Sequence, residues 1–100
     1  MKARIYIAGP MSGLPDLNYP AFNAMAKRLR ALSHEVCNPA ENPACDSWEA
    51  YMRLAIAQLI TCDTILMLPG WTASRGAVVE YRLAGELGMC VKNSDEVGGL

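Results

Sequence analysis

The 100-residue chain predicts an α/β fold, a parallel sheet of about four strands with helices on both faces. Two observations carry this expectation. Strand-like and helix-like segments alternate through four strands, the pattern of repeated βαβ units. Asp63 to Leu68 (DTILML) is a near-continuous apolar run of strand length, as in a strand covered on both faces rather than one.

The remaining elements follow in order. Lys2 to Ala8 (KARIYIA) is β-branched and apolar and is stopped by Gly9 and Pro10, which predicts a first strand. The stretch GPMSGLPDLN after it is a glycine and proline loop. From Pro20 to Leu32, Phe22, Met25, Leu29 and Leu32 keep helical spacing, with Pro20 in the first turn and Lys27, Arg28 and Arg30 toward the end. His34 to Asn38 reads as a weaker second strand, and Pro39 to Cys45 as an irregular loop. Asp46-Ser-Trp-Glu49 has the form of a capping box, with Asp46 or Ser47 as the cap. Trp48, Tyr51, Met52, Ala55, Ile56, Leu59 and Ile60 form the apolar stripe of the helix it opens. A third helix runs from near Ser74 to Leu87 and stops by Gly88, and Met89 to Lys92 supplies the last strand. One domain thus occupies residues 1–92, and the tail 93–100 is expected to be loose.

Composition narrows the function. At 52% hydrophobic with a net charge of -1, the chain lacks the basic excess that nucleic-acid polymers select, so a small ligand is expected. No apolar run is long enough for a membrane span, and the N-terminus lacks a signal peptide's apolar region, so the expected setting is soluble and cytoplasmic. Cys37, Cys45, Cys62 and Cys90 form no C-x-x-C pair, and His34 is the single histidine. Neither a metal site nor a cofactor is therefore expected. Cys37, Cys62 and Cys90 fall in or beside core elements and are expected as buried, reduced thiols.

The chemistry concentrates in residues 68–80, LPGWTASRGAVVE. Ser74 is a natural N-cap, because its hydroxyl can accept a bond from a free backbone N–H. At about 100° per residue, Ala77, Tyr81, Ala84 and Leu87 gather on one side of the helix, and Glu80 falls among them. An ionised carboxylate loses hydration there unless donors or cations compensate. Glu80 is thus either a marginal residue that reaches solvent or an arginine, or a site carboxylate with a tuned pKa.

Parallel sheets of this kind bind ligands outside the carboxyl ends of their strands, where strand order reverses. The loops after Ala8 and Leu68 should therefore face one crevice. Gly9, Gly13, Gly70 and Gly76 let backbone approach a ligand, and the amides opening the third helix suit a phosphate. Neither a P-loop nor a G-x-G-x-x-G fingerprint is present. Tyr6 faces opposite to Ile5 and Ile7 on its strand, either as a core tyrosine or, if the third helix packs on that face, as a partner for Glu80. Trp71 is either a stacking platform or a packing anchor. Arg53 and Arg75 are either solvated or, for Arg75, set to meet a phosphate. Asn18 is a helix cap or a sugar ligand, and Asp63 is read as structural.

Together these residues resemble the nucleoside 2-deoxyribosyltransferase-like family, in particular its short, DUF4406-like branch found in phages and bacteria. The resemblance runs from Ile5 to Val91. It is carried by IYIAGPMSGLPDLNYPAF at the start, NPAE of Asn38 to Glu41, YMR of Tyr51 to Arg53, and CDTILMLPGWTASRGAVVEYRLAGELGM near the end. The specific signal is Y-I-A-G-P combined with L-P-G-W-x-x-S-x-G-A-x-x-E.

The resemblance implies a flavodoxin-like three-layer fold and cleavage of the N-glycosidic bond of a deoxynucleoside or its monophosphate, by hydrolysis or by transfer to another base. Glu80 matches the family's nucleophile, and Tyr6 the tyrosine that positions it. Gly9, Pro10, Met11, Ser12 and Gly13 match the segment that holds sugar or phosphate, and Ser74 a phosphate-contacting serine; Asn18, Gly70, Trp71 and Gly76 complete the expected binding set. A homodimer or larger homo-oligomer is implied as well. One departure matters: the resemblance implies an aspartate on the second helix, eight residues before the strand aspartate, and counting back from Asp63 gives Ala55, so that carboxylate is lost unless Asp16 or Asp46 reaches the crevice from a loop. The alternative function is a catalytically weak or inactive nucleotide-binding module, a sensor or a sequestering protein.

Overall fold

The structure is a computed structural model that describes residues 2–100. Seven main elements follow the expected order: β1 (Arg4–Ala8), α1 (Tyr19–Ala31), β2 (Glu35–Cys37), α2 (Trp48–Leu59), β3 (Thr64–Met67), α3 (Arg75–Glu86) and β4 (Cys90–Asn93). Short 3-10 turns punctuate the connections. The four strands form a single parallel sheet in the order β2-β1-β3-β4. With helices on both faces, the arrangement is that of a flavodoxin-like three-layer α/β fold.

Strand alternation sorts the core into two layers. Ile5 and Ile7 of β1 join Leu66 and Leu68 against Phe22, Ala26 and Leu29 of α1. Tyr6 and Ala8 point the other way, with Ile65 and Met67, and meet Ala55 and Leu59 of α2 and Ala77 and Ala84 of α3. β1 and β3 are buried on both faces because they are the central strands, which explains the unbroken apolar run around residue 65.

Some boundaries differ from expectation. Ser47 alone caps α2, its hydroxyl accepting from the Ala50 N–H at 3.0 Å, so Asp46-x-x-Glu49 is not the capping box. Leu32, Ile60 and Leu87 close the predicted apolar stripes yet are exposed, because each is the C-cap of its helix, where the chain turns off the sheet. Tyr81 also lies largely outside, so the buried face of α3 is Ala77, Glu80 and Ala84. Of the cysteines expected in the core, Cys62 is buried, Cys37 is half-buried and Cys90, on the edge strand β4, is exposed.

The tail expected to be loose is packed. Asn93 ends β4, Ser94–Gly99 form a 3-10 segment, and a capping box joins Asn93 to Glu96, whose carboxylate accepts from the Asn93 N–H at 2.8 Å. Val97 is buried with Leu66 and Leu68. The reason lies in the helix count: α1 is the lone full helix on its face, and the segment after β4 covers apolar surface that α1 does not reach.

Candidate functional site

α1 covers one face, while α2 and α3 cover the other, so the direction of travel across the sheet reverses between β1 and β3. The carboxyl ends of these two strands open into a crevice of about 1210 Å³. Gly9, Pro10, Met11 and Ser12 line it from the β1 side, and Gly70 and Ser74, together with Pro69, from the β3 side.

Glu80 lies at the crevice wall and is 5% exposed. The Tyr6 hydroxyl, fully buried on β1, donates a hydrogen bond to Glu80 Oε2. Neither ion pair among the described residues includes Glu80, so it does not reach an arginine at the margin of α3. Burial pushes its pKa up from 4.5 to about 7, and the Tyr6 hydrogen bond opposes this by favouring the ionised form. Burial, reinforced by the charge and hydrogen bond of Glu80, holds the Tyr6 phenol well above its ordinary value. Tyr6 therefore stays a donor while Glu80 titrates near neutrality. A carboxylate in this state can serve as a nucleophile once ionised or as an acid when protonated.

The opening turn of α3 forms one end of the site. The Ser74 hydroxyl accepts from the Ala77 N–H at 3.2 Å, which caps the helix as its sequence predicts. The N–H groups of Arg75 and Gly76 have no carbonyl four residues back within the helix. Arg75 and Gly76 also line the crevice, and the guanidinium of Arg75 lies 3.9 Å from the centre of the Trp48 ring. Arg75 makes no ion pair among the described residues, so a cation and helix-opening amides stand together at the rim.

Several expected ligand residues have other work. Trp71 does not line the crevice. Gly70, at φ +84°, starts the turn that carries the indole outward onto Tyr81, with ring centres 4.6 Å apart, and Trp71 is thus a packing anchor. Gly13, at φ +80°, makes the turn beside the crevice without lining it. Asn18 also stands outside the lining: its Nδ2 donates to the Pro10 carbonyl at 2.9 Å and pins the β1 loop. Gly76 gives room for Met52, whose Sδ would be 3.1 Å from a Cβ there. At Gly9 a Cβ would be 2.8 Å from that of Leu68, so this glycine is needed for the two strand ends to pack. Asp63 is structural, accepting from the Arg4 N–H at 3.0 Å at the opposite end of the sheet.

Trp48, Tyr51 and Met52, which were not expected as site residues, also reach the crevice. A signal was available: in a right-handed βαβ unit the first turn of α2, like that of α3, lies at the carboxyl ends of the strands. Trp48 and Tyr51, three residues apart, then share the face toward the crevice. Ala55, one turn on, is already inside the core and does not line the crevice. Asp46 is the second carboxylate of the lining, exposed at its mouth, whereas Asp16 stays outside.

The family model for Domain of unknown function (DUF4406) matches residues 3–93, nearly the whole chain. The chain belongs to the DUF4406 family. No curated protein matches it. In this DUF4406 protein the matched span includes both crevice loops, Tyr6 and Glu80. Among the described residues, no cluster of three His, Cys, Asp or Glu side chains is placed to hold a metal ion, and no helix is long and apolar enough to cross a membrane.

Proposed function

We propose that this DUF4406 protein cleaves the N-glycosidic bond of a deoxynucleoside or, preferentially, its 5′-monophosphate, as a hydrolase or a 2-deoxyribosyltransferase. The observation that carries this reading is Glu80: a buried carboxylate on the crevice wall, held by one phenolic donor and titrating near 7. In the first step a Glu80 oxygen bonds to the anomeric carbon as the carbon–nitrogen bond breaks, and the bonding electrons leave with the base, which takes up a proton. Water or a second base then attacks the same carbon and releases the carboxylate. The oxocarbenium-like centre between these steps is stabilised by the adjacent negative charge.

The preference for a phosphorylated substrate rests on Ser74, the helix-opening amides of Arg75 and Gly76, and the Arg75 guanidinium, which makes no ion pair among the described residues. Exposed Leu14 and Leu17 line the crevice mouth, and a neighbouring copy in a homodimer or larger assembly would cover them. Sedimentation velocity is expected to give a dimer or higher species.

Incubation with a panel of deoxynucleosides and their 5′-monophosphates, followed by chromatography of free base, tests the activity. Wild-type protein is expected to release base and Glu80→Gln to lose at least ~10²-fold in rate. Base release that survives the substitution would remove Glu80 as the nucleophile. A second reading, a nucleotide-binding module, is favoured by Ala55, a buried alanine where the resemblance to the nucleoside 2-deoxyribosyltransferase-like family implies an aspartate. It predicts saturable calorimetric binding with the nucleotide recovered intact.

A further inference from the structure

Several buried and half-buried polar groups near the crevice are matched to oxygen or nitrogen partners. Tyr6 donates to Glu80, Asn42 and Gln58 exchange amide bonds at 2.8 Å, and Asn38 donates to Asn23 at 3.0 Å. The Tyr51 hydroxyl instead contacts Met11 Sδ at 3.3 Å. A thioether is a weak acceptor, so this phenol has a strong donor engaged in a weak bond. Both Tyr51 and Met11 line the crevice.

The position of Tyr51 is set by helix packing. Met52, the next residue, packs against Gly76, which brings α2 close to α3. Tyr51 then stands across the crevice from Glu80, near enough for the Glu80 charge to add to burial in holding the phenol protonated. The Tyr51 O–H is thus a neutral donor in the same crevice as the carboxylate. The remaining lining carboxylate, Asp46, is exposed at the mouth.

We propose that the Tyr51 hydroxyl leaves Met11 and donates a hydrogen bond to the departing base of the bound deoxynucleotide. This rests on the glycosidase reading above. The chemistry selects the acceptor: a donor on the sugar ring oxygen would withdraw electron density needed by the oxocarbenium-like centre, whereas one on a base heteroatom stabilises charge that grows as the carbon–nitrogen bond breaks. No proton need be transferred. The base takes its proton from solvent as it leaves, and Tyr51 remains a phenol.

Two measurements on Tyr51→Phe test the assignment. With a natural base as leaving group, kcat is expected to fall ~10²- to 10³-fold, and KM to rise about fivefold as the contact to the bound base is lost. With a 4-nitrophenyl 2-deoxyriboside 5-phosphate, whose leaving group needs no such help, the loss is expected to shrink to within about threefold. Equal losses on both substrates would overturn the proposal, as would no loss on either. The second measurement is calorimetric binding of a deoxynucleoside monophosphate in the Glu80→Gln background, where adding Tyr51→Phe is expected to weaken affinity about fivefold. Unchanged affinity overturns the contact whether or not the wild type turns substrate over. Weakened affinity with no wild-type turnover would retain Tyr51 as a ligand donor, while removing both its leaving-group role and the glycosidase reading.

Discussion

At the scale of single residues, the Glu80–Tyr6 pair sets opposite demands on stability and reactivity. In the proposed reaction Glu80 attacks in its ionised form, so kcat/KM is expected to fall as pH drops through about 7. Tyr6→Phe removes the bond that favours the ionised form, and the acid limb of the pH profile is expected to move up by about one pH unit. A limb that stays in place would show that Tyr6 does not tune Glu80. The stability effect has the opposite sense. Because the folded-state pKa is raised, the contribution of Glu80 to stability is fully present below 4.5 and declines as pH rises to about 7. The displacement from 4.5 to about 7 corresponds to on the order of 3 kcal/mol at pH 8. Glu80→Gln keeps an acceptor for Tyr6 without the charge, so it is expected to be more stable than wild type by about 2 to 3 kcal/mol at pH 8 and near equal at pH 4.5. Urea denaturation at the two pH values measures this. Glu80 was legible as unusual from its place on an apolar helix side. Tyr51 was not, because an aromatic at helical spacing looks like core until the packing of α2 against α3 turns it to the crevice.

At the scale of elements, two glycines that line the crevice differ in what their missing side chains permit. A Cβ at Gly9 would meet the Cβ of Leu68 at 2.8 Å, and neither strand end can move without breaking the Leu68 N–H bond to the Ala8 carbonyl. Gly9→Ala is expected to cost about 1 to 3 kcal/mol by overpacking. At Gly76 the neighbour is the flexible end of Met52, and alanine in a helix gains about 1 kcal/mol over glycine. Gly76→Ala is therefore expected to change stability by less than about 1 kcal/mol. Thermal unfolding of the two variants separates them, and equal losses would contradict the packing argument. The sequence marked both as ligand-approach glycines; the partners that distinguish them, Leu68 and Met52, lie far away along the chain.

For the molecule as a whole, the segment after β4 substitutes for a missing helix. Val97 and Leu100 extend the layer built by α1 and pack with Leu66 of β3 and Leu68 just beyond it. Deleting residues 94–100 is expected to lower stability by about 2 to 4 kcal/mol and to expose apolar surface that binds a hydrophobic dye. An unchanged melting temperature would show that the segment is dispensable. The low apolar content of SDEVGGL hid this role, since one valine and one terminal leucine are enough to cover a small area.

By itself the sequence determined the element order, the parallel sheet, the paired loops after β1 and β3, and the suspect carboxylate at Glu80. These depend on local periodicity, on turn residues and on the handedness of βαβ connections, all of which can be read along the chain. Tertiary structure alone decided that Tyr6 donates to Glu80, that Trp71 faces away while Trp48 and Tyr51 face in, and that the tail packs. Each of those outcomes depends on contacts between residues distant in sequence, and helical or strand spacing assigns a side chain to a face without saying what that face will meet.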